Sequence, residues 1–166
     1  TWPKPELVYA AVDRYQREIG GPNGRSGYRE ALESNQIVER ARRGVAELIG
    51  ADDPLEIVFG FSGTDVLNLA IRGLVRPGDH VVTTVCDHNS VLRPLRALGE
   101  RTGVAVSYVP CDGQGIVSPD DVRVALRPNT RLVAVIHASN VTGAIQPIED
   151  IGHIVREHGA FYLVDA

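Results

Sequence analysis

Leu7, Val8, Ala11, Val12 and Tyr15 recur at the spacing of one helix face, behind a segment in which Pro3 and Pro5 flank Lys4. The run stops at Gly20 and Gly21, so a first helix is expected there. Residues 20–27, with Pro22, Asn23 and Gly24 among them, have turn chemistry and no apolar periodicity, and read as a loop. From 28 to 49, Ala31, Leu32, Ile37, Val38, Ala41, Val45, Leu48 and Ile49 trace a long amphipathic helix that Gly50 terminates. Glu39 and Arg43 are spaced to pair on its wet face.

After Pro54 the pattern changes to short β-rich runs separated by helical ones. Runs at 57–59, 81–85, 104–109, 132–136 and 161–164 read as strands, and 65–75, 90–101, 118–126 and 148–158 as helices, the third capped by Ser118 ahead of Pro119. Strands alternating with helices require parallel crossovers, so the expected fold is α/β, a mostly parallel sheet with helices on both faces. The expected organisation is a helical arm and glycine-rich loop over 1–27, followed by a single domain over 28–166.

Composition adds limits. The 166 residues are 43% apolar and 23% charged, enough for one domain with a core. The net charge of −4 gives no general attraction to nucleic acid or anionic lipid, and no run approaches the ~18 apolar residues of a membrane span. A cytoplasmic protein is expected. Cys86 and Cys111 lack the paired spacing of a metal or redox motif and read as buried structural thiols, so no metal site is expected. The sequence contains no methionine, even at position 1, which leads us to expect that translation starts upstream.

In a parallel α/β sheet, ligands collect at the carboxyl ends of the strands, where loops lead into helix N-termini. The amides of Gly63 and Thr64, with the Thr64 hydroxyl, suit a phosphate at a helix start, although on this turn alone plain N-capping by Ser62 or Thr64 is the commoner reading. His88, after the run 81–85, suits stacking on an aromatic ring and proton transfer; a polar loop histidine is an equal alternative. Asn140 suits a hydrogen bond to a ring hydroxyl, or ordinary turn chemistry. Asp165 ends an apolar run with a carboxylate that wants a cation, and a protonated pyridine nitrogen would serve. The four turns together suit a phosphorylated pyridine aldehyde, yet the one lysine of the chain is Lys4, far from them in sequence.

Several segments carry a family resemblance: Trp2-Pro3-Lys4-Pro5-Glu6, Asp87-His88-Asn89-Ser90-Val91-Leu92-Arg93-Pro94-Leu95, His137-Ala138-Ser139-Asn140-Val141-Thr142-Gly143 and Gly159-Ala160-Phe161-Tyr162-Leu163-Val164-Asp165-Ala166. With them the chain resembles the N-terminal part of class V aminotransferase-fold enzymes, in the cysteine desulfurase-like branch. The resemblance implies a pyridoxal phosphate-dependent transferase of fold type I, with 28–166 forming the N-terminal part of its cofactor-binding large domain. It implies that Gly63 and Thr64 bind the cofactor's phosphate, His88 stacks on its ring as a catalytic group, Asn140 meets the phenolic oxygen and Asp165 the pyridine nitrogen. Asp87 stands where glutamate is usual, Gly60 and Phe61 replace a threonine-containing pair, and Tyr28 replaces a common histidine.

By the same resemblance the whole protein is a homodimer acting on an amino acid, with cysteine, converted to alanine and an enzyme persulfide, as the leading substrate and a sulfur-acceptor protein as a possible partner. Transaminase, epimerase or lyase activity on the same scaffold is the alternative, and a non-catalytic α/β module binding a phosphorylated ligand a third reading. The family's Schiff-base lysine, substrate arginine and persulfide cysteine match nothing in this sequence, so the chain is expected to be the front part of a larger enzyme and inactive by itself.

Overall fold

A computed structural model describes residues 3–24 and 26–166. Trp2, within the first family-like segment, and Arg25, within the glycine-rich loop, lie outside the described residues. The chain forms two compact units, Thr1–Phe59 and Gly60–Ala166.

In the first unit, helix α1 (Glu6–Arg14) runs into a π-helical turn (Tyr15–Ile19) that Gly20 ends in left-handed backbone at φ 57°. Helix α2 (Arg29–Ile49) ends the same way at Gly50. The loop expected to close a separate arm at residue 27 is bound to the helix that follows it. The Tyr15 and Ser34 hydroxyls both donate to the Gly21 carbonyl, at 2.6 and 2.7 Å. A Cβ on Gly21 would fall 2.7 Å from the Glu30 carbonyl carbon, so only glycine lets the loop backbone come this close to α2. The Asn35 side chain then accepts from the Gly24 amide at 2.8 Å and donates to the Gly24 carbonyl at 2.9 Å.

Two local expectations fail here. Residues 57–59 form no strand: after a 3₁₀ turn (Pro54–Glu56), the Ile57 carbonyl accepts from Arg42 Nη1 at 2.7 Å. A β-prone triplet becomes a strand only when a neighbouring backbone pairs with it, and here a side chain takes that place. The same anchoring redirects the surface ion pair. Arg42, not Arg43, approaches Glu39, at 3.7 Å.

The second unit comprises α3 (Gly63–Leu74), β1 (His80–Thr84), α4 (Asn89–Thr102), β2 (Ala105–Val109), α5 (Pro119–Ala125), β3 (Thr130–Ile136), α6 (Ile148–His158) and β4 (Phe161–Asp165). Among the described residues the strands form one sheet in the order β2-β1-β3-β4, every pair parallel. Alternation along the strands builds two cores. Val81, Leu132 and Ala134 pack with Leu67 and Ile71 of α3 and Val91 and Leu95 of α4. Their neighbours Val82, Val133 and Val135 pack with Val122 of α5 and Ile151 and Val155 of α6. The sheet is thus covered by helices on both faces, each fully buried Leu, Ile or Val contributing about 1.5–3 kcal/mol.

Ser118 occupies the N-cap position of α5 but makes no side-chain capping bond; Pro119, as first helical residue, sets the start. Cys86 and Cys111, expected to be buried, are both partly exposed, because they lie past the ends of β1 and β2 where packed strand gives way to turn.

The strand order positions the site. The chain passes from β1 outward to β2, then crosses back to β3 and continues outward to β4 on the other side. The reversal falls between β1 and β3, and the crevice beyond their carboxyl ends is where such sheets bind ligands.

Candidate functional site

A cleft of about 380 Å³ opens at that crevice, and Gly63, Thr64, His88, Asn140 and Asp165 all line it. The five residues singled out in the sequence therefore converge from four separate turns. Each turn has its own local cause.

At the start of α3, Ser62 is the N-cap: its hydroxyl accepts from the Asp65 amide at 3.2 Å, and its carbonyl accepts from the Val66 amide at 3.1 Å. Capping by Ser62 is thus real, and it leaves the first two helical amides, those of Gly63 and Thr64, without intrahelical acceptors. Open space lies in front of Gly63, where an added Cβ would meet nothing within 4 Å. Amides left free at a helix N-terminus beside an open cleft are suited to an anion.

At the end of β1, Asp87 is buried and ties the turn down. Its Oδ2 accepts from the Thr83 hydroxyl at 2.7 Å, the Thr84 amide at 2.7 Å and the Thr84 hydroxyl at 2.8 Å. Burial raises the Asp87 carboxyl above its ordinary value despite those donors. The next residue, His88, is the exposed N-cap of α4. Its Nδ1 accepts from the Ser90 amide at 3.1 Å. A backbone N–H can only donate, so Nδ1 carries the lone pair and the ring proton sits on Nε2.

That assignment orients a relay. The Ser90 hydroxyl, 2.7 Å from Nδ1, must donate to it, and the Thr64 hydroxyl, 2.9 Å from Ser90 Oγ, therefore donates to Ser90. Thr64, Ser90 and His88 form one directional chain that links α3 to α4. Ser90 was missed in the sequence, where it reads as an ordinary first-turn helix residue. Its position two residues after a histidine N-cap is the signal that marks it.

After β3, Ser139 shapes the turn that presents Asn140. The Ser139 hydroxyl accepts from the Val141 and Thr142 amides, each at 3.2 Å, and Gly143 turns the chain at φ 76°. Asn140 stands exposed at the tip. Gln146, also missed, holds the far side of this loop: its buried side chain accepts from the Val117 amide at 2.9 Å and donates to the Gly115 carbonyl at 2.8 Å. Asp165 ends β4 opposite Ile136, and its carbonyl accepts from the His137 amide at 2.8 Å. The carboxylate is half-buried at the cleft.

Two helix-start amides, an imidazole with a free Nε2–H, a side-chain amide and a carboxylate thus share one crevice. The sequence profile described as aminotransferase class-V matches residues 1–166. The chain belongs to the aminotransferase class-V family.

Among family members, the chain is 36% identical over 170 residues to the cysteine desulfurase IscS of Dictyoglomus turgidum, covering 100% of this chain and 42% of the relative. It is 35% identical over 166 residues to a probable mitochondrial cysteine desulfurase of Dictyostelium discoideum, covering 98% of this chain and 36% of that protein. The apo cysteine desulfurase of Thermococcus onnurineus NA1 superposes with a TM-score of 0.92 at 32% identity, over 100% of this chain and 42% of its own. SspA in complex with cysteine superposes with a TM-score of 0.93 at 33% identity, over 99% and 48%. The chain spans about two fifths of the length of these curated relatives, 42% in the first case.

Proposed function

We propose that this chain supplies the phosphate, ring and nitrogen contacts of a pyridoxal phosphate site in an enzyme that removes sulfur from cysteine, giving alanine and an enzyme persulfide. The observation that carries the reading is the convergence of Gly63, Thr64, His88, Asn140 and Asp165 on one cleft at the sheet's reversal point. Kinship with cysteine desulfurases supports the choice of substrate.

The residues present fit the cofactor. The free amides of Gly63 and Thr64, at the positive end of α3, bind its phosphate, while the Thr64 hydroxyl proton stays with Ser90. His88 lies against the ring, where its Nε2 is the nitrogen available to hold or pass a proton, because Nδ1 is committed to Ser90. Asn140 donates to the phenolic oxygen. Asp165 faces the pyridine nitrogen and favours its protonated form. When bound, the cofactor supplies an electron sink for charge developing on the substrate's α-carbon.

Within this reading, residues 28–166 provide the N-terminal part of the cofactor-binding domain, and the whole protein works as a homodimer that passes sulfur to an acceptor protein. Among the described residues no helix is long and apolar enough to cross a membrane, and we place the enzyme in the cytoplasm.

The test is to titrate the whole protein with pyridoxal phosphate, follow the cofactor's absorbance, and measure alanine released from cysteine. Saturable binding with alanine and persulfide formation is expected. Binding without desulfuration, accompanied by amino-group transfer to a keto acid, would replace the proposed reaction with a transaminase.

A further inference from the structure

Cys86 and Cys111 occupy equivalent positions on neighbouring strands. β1 and β2 run parallel with Thr84 opposite Val109, and the Val85 amide continues the ladder by donating to the Val109 carbonyl at 3.0 Å. Each cysteine follows the last paired residue of its strand by two positions. Neighbouring strands lie about 4.8 Å apart, within the roughly 4.4–6.8 Å of Cα separation that a disulfide spans. Beside burial, the Cys111 thiol is near enough to the Cys86 thiol to raise its pKa. The Cys86 thiol also donates to the Gly115 carbonyl at 3.7 Å, so its sulfur sits inside the turn that Cys111 opens.

The pair is reachable. Cys111 lines a cleft of about 420 Å³ with Pro110, Pro119 and Pro147 around it, open to a small reagent. Burial, then the neighbouring Cys111 thiol, push the Cys86 thiol up to about 12, which keeps it protonated at rest. Losing the Cys86 S–H does not orphan its acceptor, because the Gly115 carbonyl still receives Gln146 Nε2 at 2.8 Å.

We propose that Cys86 and Cys111 form a reversible intramolecular disulfide by exchange with a low-molecular-weight disulfide of the oxidised glutathione type. The Cys111 thiolate attacks one sulfur of the reagent, forming a mixed disulfide and releasing one thiol. The Cys86 thiol then gives up its proton and attacks the Cys111 sulfur as the thiolate, and the second small thiol leaves carrying that proton. Two protein thiols are oxidised and one small disulfide is reduced to two thiols. The bond ties the turn after β2 to the residue preceding Asp87, so oxidation acts on the turn that presents His88.

The test is to incubate the protein with oxidised glutathione at mildly alkaline pH, alkylate the remaining thiols, and map tryptic peptides, since Arg96 and Arg101 separate the two cysteines. A linked Cys86–Cys111 peptide pair that disappears with dithiothreitol is expected, with alkylation lost at both positions. In Cys86→Ser, a glutathione adduct should accumulate on Cys111; in Cys111→Ser, Cys86 should remain alkylatable. Stable glutathione adducts on wild-type protein without the linked pair, a disulfide between two chains, or two thiols that stay free would each overturn the proposal.

Discussion

His88 Nδ1 receives both the amide and the hydroxyl of Ser90, at 3.1 and 2.7 Å, and this double donation decides which ring nitrogen carries the proton. The imidazole is held by α4's own first turn, and the Thr64 hydroxyl reaches it only through Ser90. Helix α3, which carries the free amides of Gly63 and Thr64, and helix α4, which carries the ring, are thereby coupled by one side chain.

Ser90→Ala should break that coupling while leaving the tautomer intact. The amide donor remains, so ring-nitrogen NMR shifts should still show the neutral His88 ring protonated at Nε2. The lost hydroxyl bonds should cost about 0.5–1.5 kcal/mol of stability in denaturant unfolding. A switch to the Nδ1–H tautomer in the variant would show that the hydroxyl, not the amide, sets the ring.

Asp165→Asn tests the proposed electron-sink role. An opposite charge typically shifts a titrating partner by one to three pKa units, so the neutral amide should slow alanine formation by about 10–1000-fold while pyridoxal phosphate stays bound. Turnover and cofactor absorbance, measured on the same preparation, separate the two effects. Full activity in this variant would remove Asp165 from the site.

His80 makes stability depend on acid. Its buried ring meets the Thr130 hydroxyl at Nδ1, 2.7 Å, and the Ser107 hydroxyl at Nε2, 2.9 Å. Burial first, and the Arg127 charge second, lower its pKa below the ordinary 6.5. The unfolded ring takes up its proton near 6.5 and the folded ring only at lower pH, so this contribution is complete above 6.5 and is lost as pH falls toward the folded value. Urea unfolding at a series of pH values should show that loss, and His80→Asn should flatten it.

Asp87→Ala should destabilise the second unit through its threonines. Thr83 and Thr84 are fully buried, and removal of the carboxylate strands two hydroxyls and one amide. Each donor that finds no water costs about 1–3 kcal/mol. Burial raises the Asp87 pKa in the folded state, so its own contribution is greatest in acid, below the ordinary 3.8, and is lost as pH rises through the folded value. The penalty of the substitution should therefore be larger in acid than at neutral pH, as read from paired unfolding curves of the variant and the parent.

Local pattern alone determined a great deal of this protein. The apolar runs of β1, β2, β3 and β4 and the helical periods between them predict an α/β fold with a parallel sheet, because burial on both faces demands continuous apolar strands. The turns bearing Gly63, Thr64, His88, Asn140 and Asp165 were legible because glycine, proline and short polar residues act through their own backbone.

Tertiary structure decided whatever depends on a partner distant in sequence. The β-prone residues 57–59 stay outside any strand, the Ile57 carbonyl being taken by Arg42, and Glu39 meets Arg42 instead of Arg43. The order β2-β1-β3-β4 put the reversal, and hence the cleft, between β1 and β3. Helix packing brought Thr64 to Ser90 across 26 residues, and strand register set Thr84 opposite Val109. Hydrogen bonds and side-chain contacts act over a few ångströms, and only the folded chain determines which residues come within that range.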